Sequence, residues 1–474
     1  MHIKVSLNCI LIPMNDFPSP ASEGYRMPAE WEPHAGTWLT WPHDPETWPY
    51  QEMEQVESDY LQIVKTIAQG EQTHILVQDK SAEETLHSKL QSNGVNMGQV
   101  FLYDIPTNDS WIRDYGPNFL VREKEVAIND WDFDSWGRKY KWELDDLAGS
   151  IITEQLQFPK FKPRIVLEGG AIEVNGSGTC LTTDSCILNP NRNGGIRRER
   201  MEKFLKNYLG TSKIIWLSGD LEGDDTDGHI DNLARFVNPT TIVCSLEKNE
   251  RDTNYLGLKH NYERLQAAKD QDGNPFHIIP LPMPGYVGTE EERLPASYAN
   301  FYITNYAVLV PIYDHPNDEK ALELIAPLFP NRNIIPIPCK TLIWGLGGIH
   351  CLTQQQPQAD AKTIAALPVK PANHDRDELG DGGKGNQADF SQGITGPGGA
   401  VIGKAHKHHD NDGCTPDKDQ KPGQIITFGQ AQRANTQQGR DNQVVTYHGG
   451  KGDGRNNDHA GTGRKSANIG KKRQ

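Results

Sequence analysis

Apolar and polar positions alternate in two rhythms over the first 360 residues. Four stretches carry β-branched and aromatic runs broken once by turn residues, which predicts β-hairpins. They are "NFLVREKEVAIND" from Asn118, "AIEVNGSGTCLTT" from Ala171, "LARFVNPTTIVC" from Leu233 and "FYITNYAVLVPIY" from Phe301. "GTWLTWP" from Gly36 reads as a further strand. Between these, apolar residues return every three or four positions, the spacing of one helix face. The predicted helices are 54–69, 197–209 and 317–329, the last capped by Asn317. Single strands "THILVQ", "KIIWLS" and "NIIPIP" occupy the gaps.

These elements form a unit of strand, helix and hairpin that recurs about every 50–80 residues, which predicts blades around an axis. The class is α/β. A short motif rich in polar, glycine or other small residues precedes each hairpin: "NDSWIRDYGP", "LEGG", "GDDTDGHIDN" and "PASYAN", with "GLGGIHC" as a fifth. If rotation relates the units, the five motifs converge at one end of the axis and build one site.

The pattern stops after Gln358. From Gly380 onward, 20 of the 45 glycines fall in the last 95 residues, with Phe390, Phe428 and Tyr447 as the only aromatics. Such a segment buries too little apolar area to offset chain entropy. Residues 366–474 are therefore expected to be a disordered tail, its "HKHH" at 406–409 included. Residues 1–23 are expected to be an N-terminal extension and 24–365 the folded domain.

Composition narrows the function. The chain of 474 residues carries a net charge of −15, which disfavours nucleic acid and suits cationic ligands. No apolar run approaches the ~20 residues of a membrane span. Its start, "MHIKVSLNCILIPM", is too interrupted for a signal peptide. Seven widely spaced cysteines without a CxxC pair point away from a disulfide framework or zinc site, and toward a reducing, cytoplasmic setting.

The five motifs supply a thiol, Cys351; an imidazole, His229; the carboxylates Asp114, Glu168 and Asp231; and an aromatic plate, Trp111. Taken singly, each has a structural reading: a packed cysteine, a solvated acidic turn, an Arg–Asp surface turn, a glycine bulge. His350 is expected to be structural, because sequence neighbours point apart. His229 and Asp231 share a face if their segment is extended. Together the set suits a planar guanidinium. Its N–H groups match carboxylates, its face stacks on an aromatic ring, and clamping holds its carbon beside a nucleophile. The acidic run Asp220 to Asp227 favours a dication. A rival reading takes Asp227-Gly228-His229-Ile230-Asp231 as the D-x-H-x-D of manganese ureohydrolases, but GGDH and S-x-D-x-D partners are missing. A non-catalytic binder of guanidino or polyamine ligands is a second rival.

The stretches "YRMPAEWEPHAGTWLTWPHDPETWP", "NDSWIRDYGPNF", "LEGGAIEVNGSGTCLTT", "GDDTDGHIDNLARF", "PASYANFYITN" and "GLGGIHCLTQQQP" resemble the agmatine deiminases of the guanidino-group-modifying (pentein) superfamily. They span about residues 24 to 360. The resemblance implies a fivefold pseudosymmetric α/β propeller, a homo-oligomer, and hydrolysis of agmatine to N-carbamoylputrescine and ammonia without metal or organic cofactor. Arginine or peptidyl arginine is the alternative substrate. Cys351 looks like the nucleophile, His229 the general acid and base, Glu168 its orienting partner, and Asp114 and Asp231 the guanidinium clamps. Trp111, Asn300 and Gly348 look like further substrate-binding positions. Leu346 interrupts the family's glycine run.

Overall fold

A computed structural model describes residues 19–358 of the chain. Residues 1–18 and 359–474, including the expected tail and most of the expected N-terminal extension, lie outside the described residues. Residues 20–23, assigned to that extension, form a 3-10 turn whose Pro20 carbonyl accepts from the Tyr25 N–H.

Five sheets share one plan: an antiparallel pair, then a helical crossover to a parallel third strand. In the first, Asn118–Arg122 pairs with Glu125–Asn129, and the helix Glu143–Leu156 leads to Lys160–Phe161. The second joins Ile172–Val174, Thr179–Thr183 and Lys213–Leu217 across the helix Arg198–Leu209. The third joins Ala234–Asn238, Thr241–Leu246 and His277–Pro282 across Tyr255–Ala267. The fourth joins Tyr302–Ile303, Ala307–Ile312 and Asn333–Pro338 across Asn317–Ile325. This plan fits the pseudo-fivefold repeat read from the sequence.

The fifth sheet has no hairpin of contiguous strands. Its antiparallel pair is Gln354–Pro357 with His34–Thr40, from opposite ends of the described chain. The strand beginning the fold thus closes the unit that ends it. The sheet continues through Met53–Ile67 to Gln72–Val77, then through Lys80–Ser92 to a fourth strand, Val100–Asp104.

Local chemistry explains the pieces. Met201, Phe204, Leu205 and Leu209 are the buried face of their helix, and Gly210 ends it at φ 67°. The side chain of Asn175 accepts from the Ser177 and Thr179 N–H groups and closes the "NGSG" turn at 3.0 and 2.9 Å. Asn317 is the first helical residue and not the cap: Pro316 precedes the helix. The Asn317 amide instead donates to the Met283 carbonyl at 2.8 Å, while Asp318 accepts from the Tyr313 and His315 N–H groups.

Candidate active site

Each motif folds as a short turn ahead of the edge strand of its sheet's antiparallel pair. Ile112–Tyr115, Gly169–Ala171, Ile230–Asn232 and His350–Leu352 are single helical turns, and Asn300 closes another by donating its N–H to Ser297. His229 and Asp231 therefore reach the site from a 3-10 turn rather than from an extended strand. The turns bring the predicted residues together. Asp114 Oδ1 accepts from the Gly170 N–H at 2.9 Å and lies 3.7 Å from His229 Nδ1. Asp231 Oδ2 lies 3.6 Å from Cys351 Sγ, to which the Asn300 amide donates at 3.2 Å. That amide also donates to Asn232 at 2.9 Å. Ligand atoms of Glu168, Cys186 and His229 lie within 4.8 Å of one another. All these side chains are buried.

The glycines before the thiol are needed for close approach. A Cβ on Gly345 would stand 2.8 Å from the Trp111 ring, and one on Gly347 would overlap that ring. A Cβ on Gly348 would stand 2.5 Å from Asn300 Oδ1. Leu346, the interruption, is itself left-handed at φ 66°, the region glycine favours.

The electrostatics set resting protonation. Burial pushes the Cys351 thiol well above its ordinary value, and Asp231 and Asp114 push it further. Burial alone would lower His229, but Asp114, Asp231, Glu168 and Asp224 outweigh it and leave the imidazole raised. Asp114 is raised, first by burial. Asp231 is lowered: burial opposes this, but the His350 hydrogen bond and charge prevail. The site thus rests with a protonated thiol facing a charged carboxylate.

Glu168 makes no hydrogen bond to His229. Its Oε1 accepts from Arg192 Nε at 2.7 Å, and its Oε2 has no hydrogen-bond partner among the described residues. Both ring nitrogens of His229 are likewise without one. These are the buried polar atoms that a cationic N–H donor and a water would satisfy.

Four further residues hold the site. His350 is more than structural: its Nδ1 and Nε2 lie 2.8 Å from Asp231 Oδ2 and Glu30 Oε2, so it fixes the carboxylate beside the thiol. Trp136 donates its indole N–H to Asp114 Oδ2 at 3.0 Å. Arg192 holds Glu168, and Asn232 holds Asn300. His350 and Asn232 have a signal in the sequence, their places beside Cys351 and Asp231. Three acids of the acidic run are held by local hydrogen bonds. Asp224 accepts from Thr226 and the His229 N–H, Asp225 from Tyr140 at 2.7 Å, and Asp227 from Asn191, Arg192 and Lys139. With Asp227 so engaged, the D-x-H-x-D reading loses a ligand. Glu168, Cys186 and His229 are the groups nearest a metal-binding set, but Arg192 already neutralises Glu168, and burial holds the Cys186 thiol well above its ordinary value.

The profile of the Porphyromonas-type peptidyl-arginine deiminases matches residues 26–357. An agmatine deiminase of Pseudomonas syringae pv. tomato is 35% identical, over 72% of this chain and 97% of its own. The solved agmatine deiminase of Enterococcus faecalis is 30% identical at a TM-score of 0.67, covering 72% of this chain and 98% of that one. A C. jejuni agmatine deiminase with substrate bound is 32% identical at a TM-score of 0.64, covering 71% and 97%.

Proposed function

This chain belongs to the Porphyromonas-type peptidyl-arginine deiminase family, and from that premise and the site geometry we propose that it hydrolyses agmatine to N-carbamoylputrescine and ammonia. The observation that carries the reading is that Asp231 Oδ2 lies 3.6 Å from Cys351 Sγ, while a Cβ on Gly170 would meet that same oxygen, Asp114 Oδ1 and His229 Nδ1 at 3.2, 2.8 and 2.5 Å.

The guanidinium enters between Asp114 and Asp231, against Trp111, with Asn300 and Gly348 bordering the thiol. Its positive charge offsets the two carboxylates that hold the thiol protonated, so the Cys351 proton passes to His229. The thiolate attacks the guanidinium carbon and forms a C–S bond. Cleavage of one C–N bond follows as His229 returns the proton to the departing ammonia. An amidino-cysteine remains. His229 then takes a proton from water, the hydroxide adds to the same carbon, and the C–S bond breaks to free the ureido product and the thiol. Glu168 orients and polarises His229 by charge across the short gap between them. The protein supplies every group these steps use.

The test is ammonia release from agmatine, with and without EDTA. Activity that survives EDTA and vanishes in Cys351→Ala supports the reading. EDTA-sensitive activity indifferent to Cys351→Ala returns the metal alternative, and tight agmatine binding without turnover returns the binder. Arginine and a peptidyl-arginine substrate run in parallel decide the substrate class. A catalytic unit of residues 24–365, a cytoplasmic location and a homo-oligomeric state belong to the same proposal. The five described cysteines are free thiols, which suits the location, and sedimentation reads the oligomer.

A further inference from the structure

Four consecutive left-handed residues lie beside the site: Ser135, Trp136, Gly137 and Arg138, at φ 54°, 55°, 90° and 65°. Only glycine adopts this conformation without strain, and such strain persists where surrounding structure over-determines it. The turn is heavily held. Asp134 Oδ1 accepts from the Gly137 N–H at 3.0 Å, and the Asp134 carbonyl accepts from the Arg138 N–H at 2.6 Å. Lys139 donates to Asp227 Oδ1 at 3.1 Å and Tyr140 to Asp225 Oδ2 at 2.7 Å. A Cβ on Gly137 would stand 2.6 Å from the Asn191 side chain.

What the strain delivers is the Trp136 indole. Its ring packs edge-on against Phe133 and Tyr140, with centroids 5.6 and 5.9 Å away. Its N–H reaches Asp114 Oδ2 at 3.0 Å, while the Gly170 N–H holds Oδ1 at 2.9 Å. One donor on each oxygen fixes the plane of the carboxylate and leaves each oxygen a lone pair for the substrate.

We propose that Trp136 is a positioning residue of the hydrolysis, its indole N–H setting the plane of Asp114 to receive the guanidinium, and that the left-handed turn is retained to place it there. The inference rests on the agmatine reading above. It predicts more than packing. The other groups facing Asp114 are His229, Asp231, Glu168, the Cys351 thiol and the Gly170 N–H. Removing the indole donor weakens the charged form of Asp114 against those carboxylates and raises its titration further.

The experiment is Trp136→Phe, with kcat and KM for agmatine measured from about pH 5 to 9 and melting followed alongside. A fall in kcat/KM of about 10- to 100-fold is expected, mostly through KM, with the acid limb moved to higher pH. Trp131→Phe is the matched control, because that buried indole donates to Asn118 away from the site. It should leave the limb in place. Wild-type kcat/KM in Trp136→Phe, or a lower kcat with an unmoved limb, overturns the proposal. If Trp136→Phe does not fold, Gly137→Ala keeps the indole but displaces the turn. An unmoved limb there overturns it equally. Wild-type protein that releases no ammonia from agmatine refutes the function, and this inference with it. An active wild type beside an unaffected Trp136→Phe refutes the inference alone.

Discussion

Cys351 Sγ lies 3.6 Å from Asp231 Oδ2, so the proposed nucleophile faces a carboxylate to which His350 is bonded at 2.8 Å. That neighbour disfavours the thiolate. Asp231→Asn removes the charge and lets the thiol titrate at lower pH. Alkylation of Cys351 by iodoacetamide near neutral pH should then become faster, by about tenfold or more. Ammonia release should fall by about 100-fold or more, because the clamp is lost. Peptide mass spectrometry reads the first and a coupled assay the second. Alkylation that stays the same or slows would show that Asp231 does not control the thiol.

His229 is raised by four carboxylates, with Glu168 third among them. In the proposed mechanism its protonated form delivers the proton to ammonia, so the basic limb of kcat is expected to follow its titration. Glu168→Gln removes one negative charge, so the imidazole loses its proton at lower pH. The basic limb should move down, with kcat lower by about 100-fold in both chemical steps. A limb and rate equal to wild type would remove Glu168 from its proposed role.

Much of this was legible because local chemistry wrote it. The hairpins at Asn118, Ala171, Leu233 and Phe301 carry β-branched and aromatic runs broken by a short polar turn, and all four form. Helices 143–156 and 255–267 were harder to read, since their apolar stripes are weak: Tyr255–Ala267 buries only Leu258, Asn261 and Leu265. The pairing of Gln354–Pro357 with His34–Thr40 spans over 300 positions, and no local pattern encodes it. In the site, the thiol, imidazole and acids were readable from residue type and place in the repeat. Trp136, Arg192 and Glu30 were not, because they act through tertiary hydrogen bonds from segments whose sequence reads as loop.

Glu30 makes a stability prediction with a definite sign. It is buried, paired with Arg235 and His350 at 2.8 Å each, and 3.6 Å from Arg113. Burial opposes its ionisation, but the Arg235 guanidinium, the contact with His350 and Arg113 together hold it far below the usual carboxylate range. A lowered group stabilises the fold above its unfolded value of about 4.3, and that contribution fades as pH falls below it. Glu30→Gln should destabilise at pH 7 by about 3–5 kcal/mol, because it removes the carboxylate facing the buried Arg113 guanidinium and leaves Arg235 with Glu173 alone. The gap to wild type should shrink as pH falls from about 5 to 3. Calorimetry across that range checks both, and a gap that widens in acid would contradict the assignment.

Gly348 and Leu346 should respond oppositely to exchange. Gly348→Ala drives a methyl against Asn300 Oδ1, the atom that accepts the His350 N–H at 2.9 Å. Asn300 then cannot hold both the thiol and His350. Activity should fall by about 100-fold, with about 1–3 kcal/mol of stability lost. Leu346→Gly places glycine where φ is already 66°, so rates should stay within about threefold. Equal effects at the two positions would contradict the close-approach account of the glycines.

Truncation tests where the catalytic unit ends. Gln354–Pro357 closes the fifth sheet, and its side chains reach into the core: Trp38 donates to Gln356 at 2.9 Å, Arg113 to Gln354 and Gln355 at 2.8 and 2.7 Å. The Gln358 N–H still donates to the Pro33 carbonyl at 2.8 Å. A chain ending at residue 358 keeps all these bonds and should retain agmatine turnover and cooperative melting. A chain ending at residue 353 loses the strand, leaves the Arg113 guanidinium short of two acceptors in a buried site, and opens the edge of His34–Thr40. It should neither melt cooperatively nor turn over. Loss of activity in the chain ending at residue 358, after normal folding, would mean that residues beyond 358 contribute to the reaction itself.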